Sequence, residues 1–474
     1  MDIFFKCGIL MQKGMVVVSV KANSIDMVHG PLWGKIFKFA WVFMLTSFLQ
    51  TLYSAADIMV VGRYAGQEAL AGVGTCTTVV NLFLNFILGF SAGATIVLGQ
   101  AIGSNDREGI GKASHTVIAI AVSFGMVVSL VCLLFTEELL RLVDVPQNVM
   151  GQASLYLKII SIGYIPSLVY NFGAAILRAK GDTKRALYIV TISGFINVLF
   201  NLFFVCVLNM KADGVALATV ISQVFTAVAI LYILCNEKDE TRISIKEIRI
   251  YKEPFLKIVR YGLPSGIQSS VYSISNALVQ SSVNSFGSAA IAGSAAVTSI
   301  TEFYTVMVNS LYQAAIVFTS QNYGARQFER IKKTNYVCIA YVFALWVIQA
   351  AITFFLGEFL IGLYVPNDPG AFEMGMRKFN TVGYCYGLLG IMNVMSGALR
   401  GMGASFINMI TSIIGVCGIR ILWILTAFRA IGTFEVLFLC YPLSWIGTLC
   451  MHSIMFVLLF KREKKKSIHL QTEE

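Results

Sequence analysis

The sequence predicts an all-α polytopic membrane protein with about twelve transmembrane helices in two homologous six-helix lobes. Three observations support this fold class: an apolar composition, apolar runs of membrane-spanning length, and an internal repeat. Of the 474 residues, 57% are hydrophobic and 13% are charged, whereas a soluble domain has about 25% charged residues. The mean hydropathy of +0.74 indicates that lipid rather than water surrounds most of this chain.

Apolar runs recur along nearly the whole chain. A helix needs roughly 20 mostly apolar residues to cross the hydrocarbon core. Backbone polar groups must be satisfied inside lipid and the runs lack strand-like alternation, so we predict helices. The predicted spans lie near 36–61, 70–100, 114–135, 150–178, 186–208, 212–235, 255–284, 289–321, 335–357, 373–400, 405–428 and 431–460.

The charged residues divide this series into segments. We predict an N-terminal extension 1–30, an N-lobe 31–235, a charged connector 236–252, a C-lobe 253–460 and a basic tail 461–474. Lys and Arg residues concentrate in the extension, the even-numbered loops and the tail, and cytoplasmic loops carry such an excess. We therefore expect a multi-pass protein of the plasma or inner membrane, with both termini and the connector in the cytoplasm.

An internal repeat is the strongest signal in the sequence. GQEALAG from Gly66 matches GSAAIAG from Gly287, and VLGQAIGSNDREGIGK from Val97 matches FTSQNYGARQFERIKK from Phe318, both at a shift of 221 residues. Each copy holds six spans, an even number, so both insert with the same orientation and are related by an axis along the membrane normal. Such halves leave a central cleft that can open to either side.

Polar residues within the first six spans are candidates for ion binding. A charge inside hydrocarbon costs at least about 2.5–3.5 kcal/mol on insertion scales, so Asp57 is a functional candidate. Asn197 and Asn201 lie four residues apart on one helical face, and Thr219 lies in the sixth span. Their oxygens suit a hard cation or a shared proton. Alternatively, Asp57 is solvated or paired with Arg63, and the Asn and Thr residues join helices by hydrogen bonds.

Glu302 and Arg420 are the main ionisable groups expected deep in the second half, and the spans carry little other positive charge. They are either counter-charges for a substrate or partners of neighbouring carbonyl groups. Gln50 and Gln268 are further polar side chains that we predict to belong, with Glu302 and Arg420, to the substrate cleft or to a polar network within a lobe.

The catalytic inventory is poor. His115 and His452 are isolated in sequence, and the chain has no HExxH, P-loop or GxSxG motif. We therefore expect no enzyme activity and no cofactor, and any uphill transport must use an ion gradient. The basic residues form no continuous face with aromatic residues, so nucleic acid is not an expected partner. The ten cysteines are scattered through apolar runs, as expected of small apolar side chains.

Five segments resemble the multidrug and toxic compound extrusion (MATE) family, and the resemblance extends from about Ser24 to Arg462. It implies antiport, in which Na⁺ or a proton enters while a drug or an amphiphilic, often cationic compound leaves through a cleft between two lobes. It also implies a small-molecule cargo, a lipid bilayer environment and a monomer. The segments are GPLWGKI from Gly30, LYSAADIMVVGRYAGQEALAGVG from Leu52, GFSAGATIVLGQAIG from Gly89, LRAKGDTKRA from Leu177 and YGLPSGIQ from Tyr261.

The same resemblance implies a cation-coupling site in the N-lobe, with Na⁺ at Asp57 as the possible metal. The residues that match its positions are Asp57, Asn197, Asn201, Thr219 and, by a looser alignment, Asn171.

Three positions depart from the family pattern. Asn201 stands where the family often has Asp, which leaves Asp57 as the one carboxylate of the site. Val42 replaces a first-helix Pro that often bends in this family, and Tyr272 replaces a seventh-helix Glu used by another branch. A bending mechanism and a C-lobe cation site are therefore not expected.

Two other functions compete with drug export. A flippase for lipid-linked precursors or polysaccharides has similar lobes, but usually has more spans and a strongly basic central cavity. A membrane acyltransferase would need an intramembrane His or an Asp/His pair, which the spans do not supply.

Overall fold

The described part of the chain contains twelve long helices, which we label α1 to α12. The structure is a computed structural model, and it describes residues 8–12, 15–19, 24–147 and 149–473. The helices are α1 Leu32–Val60, α2 Gln67–Gly103, α3 Arg107–Leu134, α4 Met150–Ala179, α5 Thr183–Leu202, α6 Ala212–Cys235, α7 Lys252–Asn284, α8 Ser288–Gly324, α9 Phe328–Tyr364, α10 Pro369–Gly401, α11 Ser405–Ile431 and α12 Phe434–Glu473.

The predicted fold class is confirmed. In the part of the chain that the structure describes, 11 helical spans are long and apolar enough to cross a membrane. The twelfth long helix, α7, is not among these 11 spans, because it is richer in Ser and Gln than they are. It lies between the lobes and contacts both. Several helices are not regular throughout. Turns of π-helix follow α1 and α5, at Val61–Ala65 and Phe203–Val207, and two more interrupt α11.

The N-terminal residues before α1 contact the helical bundle. The strands Gly8–Gln12 and Met15–Ser19 pair in an antiparallel hairpin, and the remainder of 1–23 lies outside the described residues. Met27 is fully buried, and its main-chain oxygen accepts hydrogen bonds from Asn322 Nδ2 at 3.3 Å and Arg330 Nε at 3.0 Å. The last residues of the predicted extension are therefore docked on the C-lobe.

The repeat is visible in the backbone as recurring left-handed residues. A positive φ is uncommon outside glycine, so its recurrence at matching positions marks equivalent turns. Four turns recur in this way at shifts of 221 to 223 residues: Gly66 and Gly287, Asn105 and Arg326, Gly181 and Gly403, and Asn209 and Gly432.

Glycines bring α2 of the N-lobe against α7 at the boundary between the lobes. A Cβ atom at Gly89 would lie 2.5 Å from the Ser265 main-chain oxygen, and one at Gly93 would lie 2.5 Å from the Gly262 nitrogen. Small residues allow two membrane helices to approach backbone to backbone. Two of the sequence segments that carry the family resemblance, from Gly89 and from Tyr261, therefore meet at this contact.

Two glutamines join the lobes at the end of the bundle that carries the connector. Gln100 Nε2 donates to the main-chain oxygen of Gly401 at 3.1 Å. Gln321 Nε2 donates to that of Ala179 at 2.6 Å. Since the last carbonyl groups of a helix lack partners within the helix, each glutamine caps a helix of the opposite lobe. We call these two contacts the glutamine caps.

The polarity of α5 is that of a membrane helix, with polar side chains inside and apolar side chains outside. Asn197 and Asn201 are 5% and 0% exposed, whereas Phe195 and Leu199 are 64% and 65% exposed. A polar group is costly in lipid, so it faces the interior of the bundle. This orientation directs both amides toward α1.

Candidate functional site

The contact between α1 and α5 positions the first part of the candidate site. A Cβ atom at Gly194 would lie 1.9 Å from the ring of Tyr53, so only glycine leaves room for this ring. The Tyr53 hydroxyl group donates to the Thr191 main-chain oxygen at 3.2 Å. Asp57 follows Tyr53 by one helical turn on α1, so this contact places its carboxylate beside α5.

Asp57 and the two asparagines predicted with it form one hydrogen-bonded group. Asn201 Nδ2 donates to Asp57 Oδ1 and also to Asn197 Oδ1, the latter at 3.3 Å. The buried Asn201 Oδ1 has no hydrogen-bond partner among the described residues. A carboxylate and amide oxygens are thus available together, which is a set of ligands suited to a hard cation or a proton.

The alternative in which Arg63 pairs with Asp57 is wrong. Within the described part of the chain, no Lys, Arg or His nitrogen lies within the 4.0 Å of an ion pair from Asp57. The Arg63 guanidinium instead lies 5.9 Å from the centre of the Tyr64 ring. The carboxylate therefore has a hydrogen-bond donor but no cationic partner.

Thr219 and Asn171 are bonded within their own helices. Thr219 Oγ1 donates to the Val215 main-chain oxygen at 2.9 Å. Asn171 Nδ2 donates to the Ser167 main-chain oxygen at 2.8 Å. No hydrogen bond between described residues connects either side chain to Asp57, so the structure does not bring these two candidates into the same group.

The C-lobe contains a cavity of about 510 Å³. Three of the predicted polar residues line it: Gln268, Glu302 and Arg420. Gln50, predicted with them, is exposed on α1 and is not part of this lining. We call this space the C-lobe cavity.

Gln268 on α7 is the centre of a buried hydrogen-bond network in this cavity. Its Oε1 accepts from an Arg400 terminal nitrogen at 2.8 Å and from Asn408 Nδ2 at 3.0 Å. Its Nε2 donates to Ser412 Oγ at 2.8 Å. Arg400 also donates to the hydroxyl group of Tyr312. The network joins α7, α8, α10 and α11, so it holds four helices of the lobe in register.

Two further cations lie along the same cavity. Arg420 donates to Asn276 Oδ1 at 2.8 Å and to Ser444 Oγ at 3.1 Å. Lys378 donates to the main-chain and side-chain oxygens of Ser294, at 2.9 and 2.8 Å, and to Thr298 Oγ1 at 2.9 Å. Each of these cations also faces an aromatic ring.

The expectation that the spans carry little positive charge besides Arg420 is wrong. Lys378, Arg400 and Arg420 are only 7%, 4% and 5% exposed, and all three line the C-lobe cavity. A hydropathy profile shows where along a helix a charged residue lies, but not which face of the helix carries it. Lys378 and Arg400 lie near the two ends of the predicted span 373–400. One signal was available, because Arg400 and Arg178 occupy matching positions of the repeat.

Ion pairs fasten the connector to the N-lobe. Lys180 Nζ lies 2.9 Å from Glu237 Oε2 and 2.5 Å from Asp239 Oδ2, and Arg185 lies 2.5 Å from Glu237 Oε1. Partial burial raises the pKa of Asp239, but hydrogen bonds from Lys180 and Thr241, together with the Lys180 charge, lower that pKa below its ordinary value. The connector is therefore attached by charges and also by apolar packing of Ile243, which is 2% exposed in the N-lobe core.

The chain matches the MatE family over residues 43–203 and 264–425. The probable multidrug resistance protein YoeA of Bacillus subtilis is 26% identical over 400 residues, which cover 82% of this chain and 86% of that protein. The probable multidrug resistance protein YpnP of the same organism is 25% identical over 398 residues, covering 84% and 89%. A solved outward-facing conformation of a multidrug resistance MATE family transporter superposes with a TM-score of 0.85 at 21% identity, covering 94% of this chain and 100% of that chain.

Proposed function

This chain belongs to the MatE family of efflux transporters, and from that premise we propose that it is an antiporter that exchanges an amphiphilic small molecule for Na⁺ or a proton bound at Asp57. The observation that carries the proposal is the unpaired carboxylate of Asp57 beside Asn201. The helices and the family together make this a multi-pass membrane protein with small-molecule cargo.

The charge of Asp57 supports coupling to one monovalent cation. A carboxylate without a cationic partner is costly in the membrane interior, and either one Na⁺ or one proton neutralises it. Asn201 already donates to one oxygen of the carboxylate, and its own free oxygen adds a ligand. Because residue 201 is an amide, Asp57 is the one carboxylate in the group and the proposed stoichiometry is one charge per site.

Coupling requires that the cation and the cargo favour different arrangements of the two lobes. A ligand shifts a conformational equilibrium only by its difference in affinity for the two states. Asp57 lies on α1 and its partners on α5, so neutralising Asp57 changes the contact between these helices. We infer that this local change is the step that biases the orientation of the lobes.

The glutamine caps support an alternating-access cycle. Both caps lie at the end of the bundle that carries the connector, together with the contact of α2 and α7. If that end faces the cytoplasm, as the Lys and Arg distribution predicts, the structure corresponds to an outward-facing state. Breaking the caps would then be part of opening toward the cytoplasm.

The cargo is proposed from the family. Two relatives are named as probable multidrug resistance proteins, so we propose amphiphilic drug-like molecules as cargo. The names of these relatives do not favour the alternative of a lipid-linked precursor flippase. The family resemblance implies cationic cargo, and this stays a prediction. The three cations of the C-lobe cavity would repel a cationic molecule from that cavity.

Transport in vesicles tests the proposal. Purified protein is reconstituted into liposomes, and the movement of two xanthene dyes is followed: rhodamine methyl ester, a cation, and fluorescein, an anion. Imposed Na⁺ and pH gradients are applied separately. We expect at least one gradient to drive export of at least one dye by the wild-type protein, and Asp57→Asn to abolish it.

The matched control is Asp213→Asn. Asp213 is a carboxylate of the same lobe that bonds to the Lys211 main-chain nitrogen at the start of α6. This variant should export at the wild-type rate. Equal rates for Asp57→Asn and the wild type under both gradients would show that Asp57 is structural and would overturn the proposed coupling.

A further inference from the structure

The C-lobe cavity combines an excess of positive charge with an apolar wall. Three cations line it, Lys378, Arg400 and Arg420, against the single carboxylate of Glu302. Within the described residues, none of the three cations lies within the 4.0 Å of an ion pair from Glu302 or from any other carboxylate. The charge of the cavity is therefore not balanced by the protein.

The acceptors that the three cations do have are neutral. Lys378 uses its three donors on oxygens of Ser294 and Thr298. Arg420 donates to an amide and a hydroxyl group, and Arg400 donates to Gln268 and to the Tyr312 hydroxyl group. Neutral acceptors orient the cations but do not neutralise their charges. A buried charge that lacks a counter-ion favours an oppositely charged ligand.

The lining also has donors without acceptors. Two of its buried polar atoms have no hydrogen-bond partner among the described residues, Arg400 Nε and Trp445 Nε1. The indole nitrogen and the guanidinium nitrogens are donors only. No acceptor oxygen of the same lining is left over among the buried atoms without partners. Both unpartnered atoms are donors, which agrees with the sign of the unbalanced charge.

The wall also carries aromatic and aliphatic side chains, next to neutral polar ones such as Asn309 and Asn393. Aromatic rings lie beside the cations, with Arg420 4.4 Å from the centre of the Tyr441 ring and Lys378 5.0 Å from that of Phe438. Aliphatic side chains, among them Val279 and Leu389, are also part of the lining. Ligand pockets of roughly 300–1,000 Å³ with few polar groups take drug-sized molecules, and this cavity of about 510 Å³ falls in that range.

We propose that the C-lobe cavity binds an amphiphilic organic oxyanion, an apolar or aromatic body that carries a carboxylate, sulfonate or phosphate group. The oxyanion lies beside Lys378 and Arg420, whose neighbouring rings Phe438 and Tyr441 have centres 6.1 Å apart, and the apolar body lies against these rings and Trp445. This site adds a class of cargo to the proposed export function. Binding of the oxyanion does not depend on that function, and only its subsequent transport rests on it.

Equilibrium binding tests the proposal without any gradient. The probes are fluorescein and rhodamine methyl ester, which share a xanthene body and differ in charge. Fluorescence polarisation is measured with the purified full-length protein in a neutral detergent. We expect the wild-type protein to bind fluorescein at least tenfold more tightly than rhodamine methyl ester, and benzoate, benzenesulfonate or phenyl phosphate to displace it. The most effective of these competitors identifies the oxyanion.

Variants assign the binding to the cavity. Arg420→Gln and Lys378→Met should each weaken fluorescein binding at least tenfold, whereas Arg420→Lys, which keeps the charge, should retain most of it. Lys332→Gln, an exposed lysine outside the cavity, is the control for net charge. Size-exclusion profiles show whether each variant is folded. If Arg420→Gln does not fold, Arg420→Lys and Lys378→Met still decide the outcome.

The possible results separate this inference from the proposed function. Equal binding of the two dyes, or fluorescein binding that Lys378→Met and Arg420→Gln leave unchanged, overturns the oxyanion site even if vesicles export rhodamine methyl ester. Charge-dependent fluorescein binding that the cavity variants remove supports the site, even if no gradient drives export of either dye and the antiport proposal fails.

Discussion

Gln321 on α8 donates a hydrogen bond of 2.6 Å to the main-chain oxygen of Ala179, the last residue of α4 in the opposite lobe. Gln100 makes the equivalent bond in the other direction, from α2 to Gly401 at the end of α10. The two lobes are thus joined by a reciprocal pair of caps around the approximate twofold axis.

The double variant Gln100→Ala, Gln321→Ala should open this end of the bundle. A hydrogen bond contributes about 1 kcal/mol net, so losing both should raise the opening equilibrium roughly thirtyfold. Hydrogen exchange read by mass spectrometry should show faster exchange in peptides that contain 179–183 and 401–405. Gln50→Ala, at an exposed position of α1, is the control. Unchanged exchange in both peptides would show that the caps do not hold the lobes together.

Gly194→Ala should displace Tyr53 and with it Asp57. The added Cβ atom would lie 1.9 Å from the Tyr53 ring, and such overpacking costs about 1–3 kcal/mol. We expect a lower thermal unfolding midpoint together with a loss of gradient-driven export. In Gly151→Ala, by contrast, the new Cβ atom meets no atom within 4 Å, so its unfolding midpoint and transport should equal those of the wild type or exceed them slightly. If both variants behave alike, the glycine contact does not position the carboxylate.

Asn201→Leu should weaken binding of the coupling ion. The change removes the donor to Asp57 Oδ1 and the free amide oxygen. A hydrogen bond to a charged group contributes about 1.5–3 kcal/mol, so the ion concentration for half-maximal export should rise roughly tenfold or more. Asn171→Leu, whose amide bonds within α4, should change it far less. An equal effect of both variants would assign Asn171 to the same site.

Acid should weaken the attachment of the connector. The pKa of Asp239 is lowered in the folded protein by Lys180 and Thr241, against the opposing effect of partial burial. Its contribution to stability is therefore complete above the pKa of the unfolded chain, which is about 4, and is lost as pH falls through the folded value. The wild-type protein should unfold at a higher temperature than Asp239→Asn at pH 7, and this difference should shrink as pH falls below about 4 and vanish below the folded pKa.

Lys180→Met provides the control for this titration. In that background, Asp239→Asn should change the unfolding temperature at pH 7 less than in the wild type, because Lys180 is absent and only the hydrogen bonds from Thr241 still lower the pKa of Asp239. A difference at pH 7 that persists unchanged in the Lys180→Met background would place the stabilising partner of Asp239 elsewhere.

The sequence was sufficient for the fold because lipid imposes long apolar helices. Helix ends were less predictable. The third span was expected near 114–135, but α3 begins at Arg107, after Asp106 caps its first turn by accepting from the Gly109 nitrogen at 2.9 Å. The apolar run that predicts the span ends at the charged residues, whereas the helix continues beyond the hydrocarbon into the water-exposed layer.

The candidate site was predicted in part. Spacing on one helix joined Asn197 to Asn201, and the cost of a charge inside hydrocarbon singled out Asp57. The family resemblance placed these residues in one site, and the structure brings all three together. The C-lobe cations could not be found in this way. Whether Arg400 faces water or the bundle depends on the rotation of α10 against α7, and that rotation is set by packing between distant helices, which a single sequence does not display.

The recurring left-handed turns have a consequence for the ancestry of the molecule. The pair Asn209 and Gly432 aligns α5 with α11 at a shift of 223, which places Arg420 opposite Asn197 and Ile424 opposite Asn201. After a gene duplication, the turns were retained while the polar chemistry of the two copies diverged. Each copy now carries polar side chains that the other lacks at the matching positions. A protein assembled from two N-lobes would keep the twofold scaffold and two carboxylates, yet it would lack the cationic cavity altogether.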